Sequence, residues 1–143
     1  MLNILHPVDG SDNVVRATRK LIDTLGWYKE APAIELLAVL LPVHRFPNMG
    51  IVVSDEMIER YYADEAQEML APSQIVLEAA GVAYTSRQKV GAIAESIVAQ
   101  AELSRSDMIC LGSRGRTGLA NMVLGSVSSR VLHLAHIPVV LIR

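Results

Sequence analysis

Apolar residues follow two alternating patterns along the chain. Continuous apolar runs are typical of strands buried in a sheet. Strands of this kind, one of them of mixed polarity, are predicted at residues 2–8, 34–41, 82–90, 108–111 and 137–142. Apolar residues that recur every three or four positions predict helices over residues 14–25, 93–101 and 127–135, and an N-cap followed by acidic residues at 54–56 predicts a further helix over residues 54–80. The alternation predicts one α/β domain, residues 1–143, with helices on both faces of an open, five-stranded parallel sheet.

Capping and breaking residues mark where these helices begin and end. Ser11 or Asp12 is the expected N-cap of the first helix, and Ser54 that of the second. Gly81 is the expected end of the second helix. Pro72 lies inside that helix, and because proline removes one amide donor we expect a kink or a break there.

Composition narrows the classes of partner. The 143 residues carry a net charge of only -2, and this balance does not favour a nucleic-acid partner. Cys110 is the single cysteine, so no intrachain disulfide can form. The start of the chain lacks the pattern of a signal peptide, and the run at residues 36–43 is too short to span a bilayer. We therefore expect a cytoplasmic protein with no membrane partner.

Two loops follow strands where ligands bind in parallel sheets, beyond the carboxyl ends. The first comprises residues 9–11, which are rich in turn formers, and the second comprises residues 112–126. In the second loop Gly112 is followed after two residues by Gly115, and nine residues further on by Gly125 and Ser126. Glycines allow backbone amides to approach a phosphate closely, and the following helix would point its amino end at the same place.

The second loop differs from other phosphate-binding loops. It has no Gly-Lys pair, as the Walker pattern requires, and no G-x-G-x-x-G. The G-2x-G-9x-G-S spacing instead resembles the nucleotide-binding pattern of the universal stress protein family. Residues 7–11 are similar to the first loop of that family, and residues 137–142 to its last strand. The resemblance covers the whole chain, and about the last 35 residues carry most of it.

The resemblance implies a Rossmann-like sheet in the order 3-2-1-4-5 that binds ATP, often with Mg²⁺ or Mn²⁺. By position, Asp9 would lie beside the adenosine, Val39 would offer backbone groups to the adenine, and Gly112 would lie near the ribose. The residues expected around the phosphates are Arg114, Gly115, Gly125, Ser126, Val127 and Ser128. A homodimer is also implied, paired through the last strand at Val139–Ile142.

One departure from the family pattern concerns the adenosine side of the pocket. Family members often have proline two residues after the glycine that opens the third helix, but here Ile93 stands two residues after Gly91. No metal-ligating cluster and no strong general base is predicted from the residues.

The favoured function is therefore an ATP-binding regulatory protein of the stress response, with an unidentified protein partner and at most slow ATP hydrolysis. One alternative is a weak ATP-using enzyme of a related fold, although the HxGH and SGGxDS motifs of such enzymes are absent. The other is a nucleotide-independent, dimeric interaction module. That module would use its dimer surface or residues 42–62, where Tyr61 and Tyr62 are expected to be exposed.

Overall fold

A parallel sheet forms the centre of the fold. The computed structural model describes residues 1–44, 52–113 and 124–143. Within them the strands are β1 (Asn3–Pro7), β2 (Ala33–Leu40), β3 (Tyr84–Val90), β4 (Met108–Gly112) and β5 (Val139–Ile142). All neighbouring strands run parallel, in the spatial order β3-β2-β1-β4-β5. The predicted five-stranded sheet and its order are thus confirmed.

Helices connect the successive strands. Their bounds are α1 (Asp12–Thr24), α2 (Asp55–Ala79), α3 (Ile93–Leu103) and α4 (Ser126–Leu134). Ser11 caps α1, and its Oγ accepts a hydrogen bond from the amide of Val14 at 3.3 Å. Ser54 caps α2 in the same way through the amide of Met57 at 3.2 Å. Each side chain satisfies an amide that the helix itself leaves without a partner.

Of the kink or break predicted at Pro72, the break is wrong, because α2 passes through this residue as one continuous element. Proline removes the hydrogen bond to the carbonyl four residues earlier, here that of Glu68, and this favours interruption. The residues around Pro72 offset that cost by tertiary packing. The buried residues of α2 are Ala66, Met69, Leu70, Ser73 and Leu77, which form one stripe against the sheet.

The two faces of the sheet carry separate hydrophobic clusters. Helices α1 and α2 cover one face, where Leu21 and Leu77 pack with Ile4 and Leu36 of the central strands. Helices α3 and α4 cover the other face, where Ile97 and Val131 belong to a second cluster. The buried side chains of that second cluster are Leu5, Leu37, Val39, Ala94, Ile97, Ala101, Ile109, Leu111 and Val131.

The edges of the sheet differ from its centre in exposure. Strand β1 lies between β2 and β4, and its interior residues are buried. Strands β3 and β5 lie at the two edges, and most of their residues are partly or fully exposed. No helix within the three described ranges is long and apolar enough to cross a membrane.

Candidate functional site

A cavity of about 460 Å³ opens at the carboxyl ends of the central strands. Its wall includes Pro7, Val8 and Asp9 after β1, Val39 to Leu41 at the end of β2, Leu111 and Gly112 at the end of β4, and residues 125–128 of α4. This volume lies within the range of small-molecule sites. The predicted site residues that the structure describes all line it: Asp9, Val39, Gly112, Gly125, Ser126, Val127 and Ser128. Arg114 and Gly115 fall outside the described residues.

The loop after β1 is held by a chain of local hydrogen bonds. The Oδ1 atom of Asp9 accepts a hydrogen bond from the amide of Ser11 at 2.9 Å, and Ser11 in turn caps α1. Gly10 has a φ of +79°, a left-handed conformation that favours glycine. Asp9 therefore has a structural role in this turn as well as a place in the cavity wall.

The first turn of α4 is tied to the end of β4. The amide of Gly125 donates to the carbonyl oxygen of Ser113 at 2.8 Å. The hydroxyl of Ser128 donates to the carbonyl oxygen of Gly112 at 3.0 Å. Gly125 is the N-cap and has no side chain with which to cap the helix. The first amides of α4 thus combine with the positive end of the helix dipole on the cavity side, an arrangement suited to an anion.

Helix α2 contributes a wall that the sequence analysis did not identify. Tyr61, Glu65 and Met69 are four residues apart along α2, and all three line the cavity. Tyr61 is 49% exposed, as expected, whereas Tyr62 is only partly exposed and accepts a hydrogen bond from the amide of Val43 at 2.7 Å. The i, i+4 spacing was visible in the sequence, but the position of α2 relative to the strand ends was not.

The charges on the described part of the cavity wall are negative. Asp9 and Glu65 are its ionisable acids, and it contains no Lys, Arg or His. Across the described residues, no group of three His, Cys, Asp or Glu side chains could hold a metal ion. A phosphate bound here would thus depend on backbone amides, on a cation that arrives with the ligand, or on the arginines of the second loop.

A buried polar network lies behind the cavity. His6 is fully buried, with its Nδ1 atom 2.8 Å from the carbonyl oxygen of Cys110 and its Nε2 atom 3.0 Å from the hydroxyl of Thr18. Because a carbonyl can only accept, Nδ1 carries a proton and donates. Thr18 also lies 2.9 Å from the hydroxyl of Ser73, so the network joins β1, β4, α1 and α2. Burial lowers the pKa of His6 below its usual 6.5.

Cys110 is buried in the core. Burial raises the pKa of its thiol to about 11, so the thiol stays protonated at neutral pH and is a poor nucleophile.

The whole chain matches the model of the universal stress protein family, over residues 1–143. Universal stress protein MJ0531 of Methanocaldococcus jannaschii is 33% identical over 140 residues, which are 98% of this chain and 81% of that protein. Open parallel sheets with a cavity at the strand ends define a class of ligand-binding α/β proteins. Within that class, this chain belongs to the universal stress protein family.

Solved structures of universal stress proteins share the fold. That of UspA from Lactobacillus plantarum is similar with a TM-score of 0.77 and 23% identity, over 99% of this chain and 97% of that one. One from Arabidopsis thaliana, with AMP bound, has a TM-score of 0.68 and 19% identity, over 99% and 91%. One from Archaeoglobus fulgidus, in complex with dAMP, has a TM-score of 0.64 and 22% identity, over 100% and 98%.

Proposed function

We propose that the cavity binds an adenine nucleotide, with ATP as the principal ligand. The observation that carries this proposal is that the predicted site residues within the described ranges, from Asp9 to Ser128, all line one cavity. Relatives of the same fold support the ligand class, since one has been solved with AMP and another with dAMP. Family membership supports a role in the stress response.

The phosphates would bind at the first turn of α4. Gly125 leaves the helix without a side-chain cap, and Ser126, Val127 and Ser128 offer the amides that point out of the helix end. Arg114 and Gly115 are assigned to the phosphates by the sequence pattern, together with Gly125. At the other end of the cavity, Val39 would offer backbone groups to the adenine, with Asp9 and Gly112 nearer the ribose.

Mg²⁺ or Mn²⁺ would enter with the triphosphate. The described wall carries two carboxylates, of Asp9 and Glu65, and no cationic side chain, so the charge of bound phosphates needs compensation. A divalent cation supplies that compensation, and Mg²⁺ is commonly bound through phosphates and one or two carboxylates.

The protein would act in the cytoplasm as a regulator, with nucleotide occupancy changing its conformation or its protein partner. We further propose a homodimer through β5, which is an edge strand on which Val140 and Leu141 are exposed. Slow ATP hydrolysis is compatible with this role. Turnover well above a slow background would favour the alternative of an ATP-using enzyme.

A charge placed at the first turn of α4 tests the site. Ser126→Asp introduces a carboxylate at an exposed position of that turn, where an acid stabilises the helix but repels phosphate. We expect calorimetric titration with ATP, with and without Mg²⁺, to show saturable binding to the unaltered protein. The affinity for ATP should fall at least about tenfold in Ser126→Asp, since about 1.4 kcal/mol of repulsion suffices.

Ser129→Asp is the matched control, because Ser129 is also exposed on α4 but does not line the cavity. It should retain most of the ATP affinity, and adenosine should bind both variants alike because it has no phosphate. If folded, nucleotide-free protein binds no adenine nucleotide, the proposal fails. The nucleotide-independent interaction module then becomes the better account, and the exposed edge of β5 is the surface to examine.

A further inference from the structure

Helix α2 presents three side chains of different chemistry to the cavity. These are the phenol ring of Tyr61, the carboxylate of Glu65 and the thioether of Met69, and together they are called the α2 wall. Because the three residues are four apart on one helix, they form a single stripe that spans two helical turns. The stripe therefore offers an aromatic surface, a hydrogen-bond acceptor and an adaptable apolar surface in that order.

Glu65 occupies a position that a helix of this kind normally gives to an apolar residue. It lies one turn before the buried Met69 and next to the buried Ala66, on the side of α2 that faces the protein. Its side chain is only partly exposed, and it makes no hydrogen bond or ion pair with any residue that the structure describes. A partly buried carboxylate with no protein partner among the described residues has acceptor oxygens that a ligand with donor groups can satisfy.

The α2 wall and the first turn of α4 lie at different sides of the cavity. Helix α2 packs on the face of the sheet that α1 covers, and contacts β2 and β3. Helix α4 packs on the opposite face beside α3. A nucleotide whose phosphates bind at α4 would extend its nucleoside across the strand ends, between α2 and the start of α3, where Ile93 also lines the cavity.

The chemistry of the α2 wall suits a nucleoside and not a phosphate. A carboxylate repels phosphate oxygens, whereas it accepts strong hydrogen bonds from hydroxyl and amino groups. An aromatic ring such as that of Tyr61 stacks on a base, and a thioether such as that of Met69 packs well against aromatic rings.

We propose that Glu65 is a specificity-determining residue that recognises the nucleoside. Its carboxylate accepts a hydrogen bond from a neutral donor group of the nucleoside. This inference rests on the proposed function and adds a residue to its site. The ribose hydroxyls and the exocyclic amino group of adenine both supply such a donor. Tyr61 provides a surface on which the base stacks at the mouth of the cavity.

A ligand series with Glu65→Gln tests the proposal. The amide keeps the shape of the side chain but loses its charge, and a hydrogen bond to a neutral acceptor is weaker. We expect Glu65→Gln to weaken ATP binding about tenfold in calorimetry, with ATP, 2′-deoxyATP, 3′-deoxyATP and ITP compared at the same Mg²⁺ concentration. The loss should disappear with the one analogue that lacks the group bound by Glu65, and that analogue identifies the donor.

Glu68→Gln is the matched control, since Glu68 is an exposed glutamate on α2 that does not line the cavity. It loses the same charge and should bind all four ligands as the unaltered protein does. Thermal unfolding of both variants checks that the fold is kept.

Four results would overturn the proposal, and they are distinguishable. Tighter ATP binding by Glu65→Gln would mean that the carboxylate only repels the ligand. Equal losses for all four ligands would mean that Glu65 does not read any of these donor groups. Absence of binding by the unaltered protein would overturn the proposed function and, with it, this inference, whereas normal binding by both variants would overturn the inference alone.

Discussion

At the scale of single residues, His6 shows how a polar side chain is accommodated in the core. Its ring donates from Nδ1 to the carbonyl of Cys110, and the hydroxyl of Thr18 faces its Nε2 atom. The Thr18 hydroxyl donates its one proton to the carbonyl oxygen of Val14 at 2.9 Å, and its oxygen also lies within hydrogen-bonding distance of Nε2 and of the hydroxyl of Ser73. No charged side chain of the described residues takes part in this network, and the hydrogen bond to the carbonyl of Cys110 offsets only part of the cost of burying the imidazolium ion.

This environment predicts a pH dependence of stability. Because burial lowers the pKa of His6, the unfolded chain takes up a proton near pH 6.5 while the folded protein does not. The free energy of unfolding should therefore decrease as the pH falls from 7.5 through 6.5, by at most about 1.4 kcal/mol per pH unit, and flatten below the folded-state pKa. Urea unfolding at a series of pH values measures this change.

Variants assign that pH dependence to one residue. His6→Gln should have a lower free energy of unfolding. Its free energy of unfolding should also no longer show the decrease that His6 causes between pH 7.5 and the folded-state pKa. His133→Gln alters an exposed histidine on α4 and should retain it. A pH profile of His6→Gln that is unchanged in slope would contradict the assignment.

At the scale of elements, Pro72 of α2 and Gly10 of the first loop both lie against the same backbone carbonyl, that of Glu68. Pro72 has no amide hydrogen, so the carbonyl of Glu68 loses its usual helical donor. A Cβ atom added at Gly10 would lie 3.1 Å from that carbonyl oxygen and 3.2 Å from the Cα atom of Met69. The loop that carries Asp9 thus packs directly on the backbone of α2, one turn beyond Glu65.

Gly10→Ala should accordingly damage both stability and binding. The φ of +79° costs a side chain about 1–2 kcal/mol, and the close contact with backbone atoms adds to it. We expect a loss of free energy of unfolding above about 1 kcal/mol and weaker ATP binding, measured by urea unfolding and calorimetry. Gly81→Ala is the control, because Gly81 has a φ of +68° but open space around its Cα atom.

The comparison of the Gly10 and Gly81 variants separates the cost of the positive φ from the cost of the steric contact with α2. Gly81→Ala should cost only the conformational part, and it should leave binding unchanged because Gly81 follows the far end of α2. Equal losses of stability in the two variants, with ATP binding intact in both, would show that the packing of residue 10 on α2 has no effect on the site.

At the scale of the whole molecule, the alternation of patterns was enough to predict the sheet and the end at which its cavity opens. Glycine spacing indicated Gly112 and Gly125 because those positions are local in sequence. Glu65 could not be found in the same way, since its place at the cavity depends on how α2 packs on α1 and β2. The break considered at Pro72 does not occur for a related reason: tertiary packing offsets the cost that local chemistry assigns to proline.

The edge strand β5 provides a prediction for the assembly. No strand of the described residues pairs with its outer edge, and Val140 and Leu141 are 42% and 37% exposed. An exposed apolar edge is a template for pairing with another chain, and a lysine on such an edge opposes it. Light scattering should give twice the chain mass of 15.6 kDa for the unaltered protein and a single chain mass for Val140→Lys.

Trp27→Lys is the control for that measurement. Trp27 is 80% exposed and lies in the short 3₁₀ turn after α1, so this variant removes a larger apolar surface without touching the edge. It should remain dimeric. Because β5 pairs with β4, which ends at the cavity, ATP titration of monomeric Val140→Lys then shows whether assembly supports the site. An unaltered protein that stays monomeric at high concentration would contradict pairing through β5.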